Sequence, residues 1–247
     1  MKASEVVSRL RAMGDPAHAQ VSRWFFKTGP GEYGEGDRFV GIRVPELRRL
    51  AATLDALPLA EVVRLLASPL HEARLLALLL LVRAYARGDE ARRERIYALY
   101  LAQTRRINNW DLVDVSSEHI VGRHLAARDR SVLDRLAESP LLWERRIAVL
   151  ATFHFVRRGE FGDTLRLAAR LLDDREDLMH KAVGWLLREV GKRDLAAEED
   201  FLKEHAGAMP RTMLRYAIER FPEPLRQRYL GAGRGRTAKV SQVKGVA

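Results

Sequence analysis

The chain has 247 residues, with 43 Lys and Arg against 33 Asp and Glu, seven His and no Cys. Without cysteine there is no disulfide framework, thiol nucleophile, iron–sulfur cluster or cysteine-ligated zinc. A formal charge of +10 points to a polyanionic partner, which charge alone leaves unspecified. The longest apolar run, Leu75 to Val82, falls far short of the roughly 20 residues that span a bilayer, and Met1-Lys2-Ala3-Ser4-Glu5 lacks a signal-peptide hydrophobic core. A soluble, cytoplasmic protein with no membrane partner is expected.

In chain order the sequence reads as helix after helix. Alternating β-branched runs are missing, and apolar residues recur at three- and four-residue spacing, so the fold is expected to be all-α. Asp15-Pro16 marks a helix start with proline at the first helical position. After it, Thr28 to Arg43 holds five glycines and reads as a loop, ordered or mobile. Its GxxxxG spacing is not a phosphate loop, since no Lys-Ser/Thr follows. Val44-Pro45, Leu57-Pro58, Ser68-Pro69, Ser139-Pro140 and Met209-Pro210 repeat the start signal. Gly88, Gly159 and Gly191 follow basic last turns and read as helix ends.

The starts are periodic. Pro69 and Pro140 lie 71 residues apart in similar contexts, and Pro210 follows after another 70. Further helix starts near Trp110 and Met179 halve these gaps, giving a period of about 35 residues, in the range of helical-pair repeats. Shorter amphipathic helices, such as Arg130 to Ser139 and Gly162 to Asp173, sit between. A pair cannot bury its own apolar stripe, so stacking into a right-handed α-solenoid is expected, with the helices containing Arg74, Trp110, Arg146, Trp185 and Arg215 facing inward. An uncurved bundle is the competing architecture. Residues 1–230 read as one helical-repeat domain. Residues 231–247, basic and glycine-rich, read as a disordered tail that adds non-specific attraction to nucleic acid.

The histidines carry no metal signature: His71-Glu72 lacks a second His at HExxH spacing, and His119 and His124 are splayed five residues apart. No GxSxG elbow is present. The most informative stretch is Ile107-Asn108-Asn109-Trp110-Asp111-Leu112-Val113-Asp114. Asn108 suits an N-cap and Asp111 a first turn, both structural roles. Asp114 lies one turn inside, four residues after Trp110, so a carboxylate and an indole share one helix face. Spacing alone leaves open a solvated Asp paired with an arginine, just as each tryptophan could be core. Of the adjacent Arg145 and Arg146, one can face inward while the other pairs outward with solvent or Glu144. Lys181 precedes Trp185 by four residues, again on one face. Two tryptophans, one aspartate and several cations at equivalent positions would make a phosphate-binding groove with aromatic walls.

Gly41-Ile42-Arg43-Val44-Pro45 with Arg48, then Asn109-Trp110-Asp111-Leu112-Val113-Asp114, Trp143-Glu144-Arg145-Arg146-Ile147-Ala148, and Lys181-Ala182-Val183-Gly184-Trp185-Leu186-Leu187-Arg188-Glu189 together resemble, in order, the AlkD family of HEAT-like-repeat DNA alkylation repair glycosylases. The resemblance implies a basic concave groove on duplex DNA and excision of cationic alkylpurines, chiefly N7-alkylguanine and N3-alkyladenine, as a monomer without cofactor or metal. It implies Asp114 as the catalytic carboxylate, Trp110 and Trp185 as indoles against the deoxyribose, and Arg146 as a backbone contact. Trp24 falls where the family has an aromatic near the lesion strand. Lys181, Arg43 and Arg215 complete the expected DNA-binding set, and Lys181 is the one lysine to exclude as a lyase nucleophile. His154 departs from the basic Lys of some relatives. The family leaves its lesion stacked in the duplex instead of flipping it. The rival reading is a non-catalytic helical-repeat protein that binds DNA structures or an acidic protein.

Overall fold

The computed structural model describes residues 1–232, and these are helical throughout: the one β-type contact among them is an isolated bridge between Arg38 and Leu70. Most of the stretch read as a tail, residues 233–247, lies outside the described residues. The helices divide into two compact units, Met1–His124 and the chain from Leu125 on.

The first unit comprises α1 (Ala3–Met13), α2 (Pro16–Phe25), α3 (Val44–Thr53), α4 (Leu59–Leu66), α5 (His71–Arg87), α6 (Glu90–Ala102) and the one-turn α7 (Trp110–Asp114). A 3-10 turn, Thr104–Arg106, leads into α7, and a π-helical turn, Glu118–Gly122, follows it. The run Leu75–Leu81 leaves α5 no polar face, so it must be covered all round. Helices α1, α3, α4 and α6 pack on it. Each of its fully buried leucines contributes about 1.5–3 kcal/mol relative to exposure.

The second unit comprises α8 (Ser131–Ala137), α9 (Leu142–Ala151), α10 (Phe153–Val156), α11 (Gly162–Arg170), α12 (Asp177–Gly191), α13 (Leu195–His205), α14 (Arg211–Ala217) and α15 (Glu223–Ala232). Helix α12 is its centre, packed against α9, α11, α13 and α14. The crossing with α14 is close because position 184 is glycine: a Cβ there would lie 2.4 Å from the Met213 carbonyl oxygen.

The periodicity in the sequence corresponds to a recurrent corner. Ser68, Ser139 and Asp174 each accept the backbone N–H two residues on, at Leu70 (3.1 Å), Leu141 (3.1 Å) and Glu176 (2.9 Å). Each also offers its own carbonyl to a side chain six residues on: Arg74 Nη1 (3.1 Å), Arg145 Nη1 (3.0 Å) and His180 Nε2 (2.6 Å). The corner ties the incoming chain to the second turn of the helix it starts. It also moves the helix start. Proline stands in the first turn at Pro16 and Pro45, but α5 and α9 begin only at His71 and Leu142, because the corner holds Leu70 and Leu141 extended.

The glycine-rich segment 28–43 is tied down from α5. The buried Glu72 carboxylate accepts the N–H groups of Val40 (3.0 Å), Gly41 (2.7 Å) and Ile42 (3.4 Å). Gly41 has φ +88°, and a Cβ there would meet the Asp15 carbonyl oxygen at 2.1 Å, so only glycine lets this strand of loop lie on the start of α2. Beside Glu72, the buried His71 holds two carboxylates: Nδ1 lies 2.9 Å from Asp37 Oδ2 and Nε2 lies 2.8 Å from Asp111 Oδ2. Arg74 adds a 2.5 Å bond to Asp37 Oδ1. Burial opposes protonation of His71, but Asp111 and Asp37 outweigh it and raise its pKa from 6.5 to about 9. His71 is therefore an imidazolium at neutral pH. Burial also opposes ionisation of Asp37, and His71, Arg74 and Asn109 together hold it below its ordinary value.

Two stability predictions follow from buried ionisable groups. Because the folded pKa of His71 exceeds the unfolded one, its contribution is complete below pH 6.5 and is lost as pH rises toward 9. Denaturant titrations should therefore find His71→Gln less stable than wild type by up to roughly 3 kcal/mol below pH 6.5, with the gap closing above pH 9. In the second unit Glu198 is 2% exposed with Oε1 unbonded, and burial raises its carboxyl from 4.5 to about 8 although Arg188 opposes this. The unfolded chain ionises first, so wild type loses stability between pH 4.5 and 8. Glu198→Gln should remove that decline, so that its melting temperature exceeds wild type by more above pH 8 than below 4.5.

Candidate functional site

Helix α7 is too short to stand alone and is fixed from both ends. At its start the cap is Asn109, not Asn108: the fully buried Asn109 accepts the Trp110 N–H on Oδ1 (2.8 Å) and donates Nδ2 to Asp37 Oδ2 (3.2 Å). Asp111 stands in the first turn as expected and is also the buried partner of His71, and its Oδ1 accepts the Leu112 N–H at 2.9 Å. Beyond α7, Ser116 Oγ donates to the Leu112 carbonyl (2.5 Å) and pairs with the buried Tyr100 hydroxyl (2.9 Å). Asp114 closes α7 and is half-buried. Burial pushes the Tyr100 phenol up, and the nearby Asp114 charge adds to that.

Trp110 is half-buried and stacked. Its ring lies 5.3 Å from that of Phe26 at 21°, with Phe25 edge-on at 5.9 Å. Phe26 stacks in turn on Phe39 (5.1 Å, 17°), and both phenyl rings contact the His71 imidazole, at 4.9 and 4.5 Å. The cationic ring thus rests on two π faces as well as two carboxylates. Phe26 covers one face of the Trp110 indole. Trp24 stands outside the stack and is 80% exposed at the end of α2, and Arg43 is exposed just before α3.

The second unit places its candidates on α9, α12 and α14. Trp185 is half-buried beside Phe153 (5.5 Å), whose far contact is the Arg157 guanidinium at 4.5 Å. Lys181 pairs with Asp177 at 2.7 Å. Arg145 bonds Asp174 at 2.7 Å, so the expected pairing with solvent or Glu144 gives way to a buried acceptor on the next corner. Arg146 is only 5% exposed and donates to the Leu178 carbonyl at 2.7 Å, which anchors the first turn of α12. Arg215 is exposed on α14, and His154 is half-buried with its ring edge-on to Phe155.

Within each unit the expected residues cluster by helix: Trp110 with Asp114 on α7, and Lys181 with Trp185 on α12. Sequence reasoning missed Phe26, Phe39 and the Asp37–His71–Asp111 triad. Phe25-Phe26 at a helix end, and a lone histidine opening an apolar helix, were the available signals. Among the described residues no three His, Asp or Glu side chains gather as a metal-binding group. The other distinctive histidine, His124, is structural, stacked on Tyr97 at 3.8 Å and bonded to the Tyr85 hydroxyl at 3.1 Å.

Residues 6–221 match the model of a family described as DNA alkylation repair enzyme. Among solved structures, the chain is similar to a predicted DNA alkylation repair enzyme from Enterococcus faecalis, at 17% identity and a TM-score of 0.65 over 85% of this chain and 97% of that one. At that identity the likeness speaks for the fold alone. No curated protein matches the chain. The family match spans nearly the whole described sequence and includes both units, and on that ground the chain belongs to the DNA alkylation repair enzyme family.

Proposed function

We propose that this protein is an AlkD-type, monofunctional DNA glycosylase that removes cationic alkylpurines, N7-alkylguanine and N3-alkyladenine, from duplex DNA without flipping them. The observation that carries the reading is the carboxylate of Asp114 on the same braced helical turn as a one-sided indole, Trp110, in a chain of this family.

The chemistry asks for little else. An alkylpurine already carries positive charge, so it departs with the C1′–N bonding pair and becomes neutral without a general acid. Positive charge then builds on the deoxyribose, as in glycoside hydrolysis. A carboxylate held in place stabilises that charge without reorganising. Asp114 has this role, and it orients the water that adds to C1′ and takes up the released proton. An indole face attracts the same developing cation, a role given to Trp110. The exposed cations Arg43 and Arg215, with Lys181, serve as phosphate contacts, and Trp24 as an aromatic contact to the duplex. Arg146 contributes chiefly through the first turn of α12, given its burial and its bond to Leu178. The protein works as a monomer, in the cytoplasm, with no cofactor.

Asp114→Asn should lower purine release from methylated duplex by at least about tenfold, roughly 1.4 kcal/mol of barrier, while duplex affinity is largely kept. Wild type that binds methylated duplex but releases no purine would favour a non-catalytic DNA-binding protein. Phe26→Ala should lower the release rate more than it lowers affinity. It should also increase the mobility of the Trp110 ring, read as reduced emission anisotropy when Trp24, Trp143 and Trp185 are replaced by Phe. Unchanged anisotropy and rate would remove the bracing role of Phe26.

A further inference from the structure

A cleft of about 200 Å³ opens in the first unit, and no ring of the Trp110 stack lines it. Its walls are the Glu35–Asp37 end of the glycine-rich segment, the Ser68-Pro69 corner, and Arg105, Arg106 and Asn108 on the approach to α7. That volume is several times the roughly 30 Å³ share of one water and accommodates a tetrahedral oxyanion.

The polar groups around it are unevenly satisfied. Arg105 and Arg106 are exposed and make no side-chain hydrogen bond or ion pair among the described residues. Arg74, 4% exposed, spends Nη1 on Ser68 and Nη2 on Asp37, but its Nε–H is buried with no acceptor. Asn108 Oδ1 is likewise buried without a donor. The orphaned Arg74 donor costs about 1–3 kcal/mol unless an acceptor arrives, whereas the Asn108 oxygen needs a donor, which a phosphodiester lacks. Ser68 Oγ accepts from Leu70, and its proton has no acceptor among the described residues. Two carboxylates face the same space. Asp37 is already matched by His71 and Arg74, and Glu35 accepts the Gly31 N–H. The uncompensated balance is therefore positive, two guanidinium groups against one exposed carboxylate.

The geometry points to this cleft as a phosphate-binding subsite. Two guanidinium forks at its rim can donate to the non-bridging oxygens of a phosphate, and the Ser68 hydroxyl can donate to one of the same oxygens. The ligand class is a phosphate oxyanion, either a backbone phosphodiester of DNA or a free phosphate. The DNA source rests on the glycosylase reading. Only Ile107, Asn108 and Asn109 separate Arg106 from Trp110, so a phosphodiester held here would set the register of a DNA strand against α7.

The test compares wild type, Arg105→Gln/Arg106→Gln and a charge-matched control, Arg9→Gln/Arg11→Gln, which alters exposed residues of α1. Inorganic phosphate should raise the melting temperature of wild type and of the control more than chloride does at equal ionic strength, and should lose this effect in the cleft variant. If the phosphodiester is the source, the slope of log affinity for duplex against log salt should also fall by about 2 in the cleft variant and by less in the control. Loss of the phosphate effect with an unchanged duplex slope would identify free phosphate as the ligand of the same site. If the cleft variant matches the control in both assays, the subsite is overturned. Purine release by wild type is scored separately, so failure of the glycosylase reading is distinguishable from failure of the cleft.

Discussion

The first unit depends on one buried cation. His71 sits between Asp37 and Asp111, so a single ring joins the glycine-rich segment, the start of α5 and the first turn of α7. Burying charge is costly unless every partner is present, and here the partners nearly close the account: two carboxylates against an imidazolium and the Arg74 guanidinium. Asn109 adds a neutral donor to the same Asp37 oxygen that meets His71. Removing any one member leaves an uncompensated buried group, which is why the loop and α7 behave as one structural element.

The position of the candidate carboxylate follows from this. A one-turn helix has no intrinsic stability, and α7 keeps its shape only because Asn109 and Asp111 are held from below and Ser116 and Tyr100 from beyond. Asp114 and Trp110 are thus presented from a turn that tertiary contacts impose. The aromatic column Phe39–Phe26–Trp110 extends the same brace, with the charged imidazole against its inner rings. A rigid arrangement of this kind suits electrostatic catalysis, where a group must be oriented before charge develops.

The helical character of the chain and the places where helices begin were legible because proline, serine and aspartate mark them locally. The approximate 35-residue spacing was legible too, and the corners at Ser139 and Asp174 give it a physical basis in side-chain bonds. The stretch from Asn109 to Asp114 stood out for its carboxylate and indole. What escaped notice depends on distant pairing. Asp37 and Asp111 are 74 residues apart, and nothing near either says that a histidine lies between them. Phe26 reads as one more apolar residue until the loop brings Phe39 beneath it. Nor does the sequence near Arg145 and Arg146 indicate that one guanidinium reaches Asp174 and the other the Leu178 carbonyl, some thirty residues on.

Asp174 occupies two places at once: it shapes its own corner, and through Oδ2 it receives Arg145 from the corner before. The distance along the chain between these two turns is consequently constrained, since an inserted residue would pull the guanidinium from its acceptor and leave a buried carboxylate without its cation. An added residue is borne more easily outside these clamps, as in the exposed turn Arg157–Glu160, so the spacing of the corners is a mechanical property of the bonded pair and not of any single side chain.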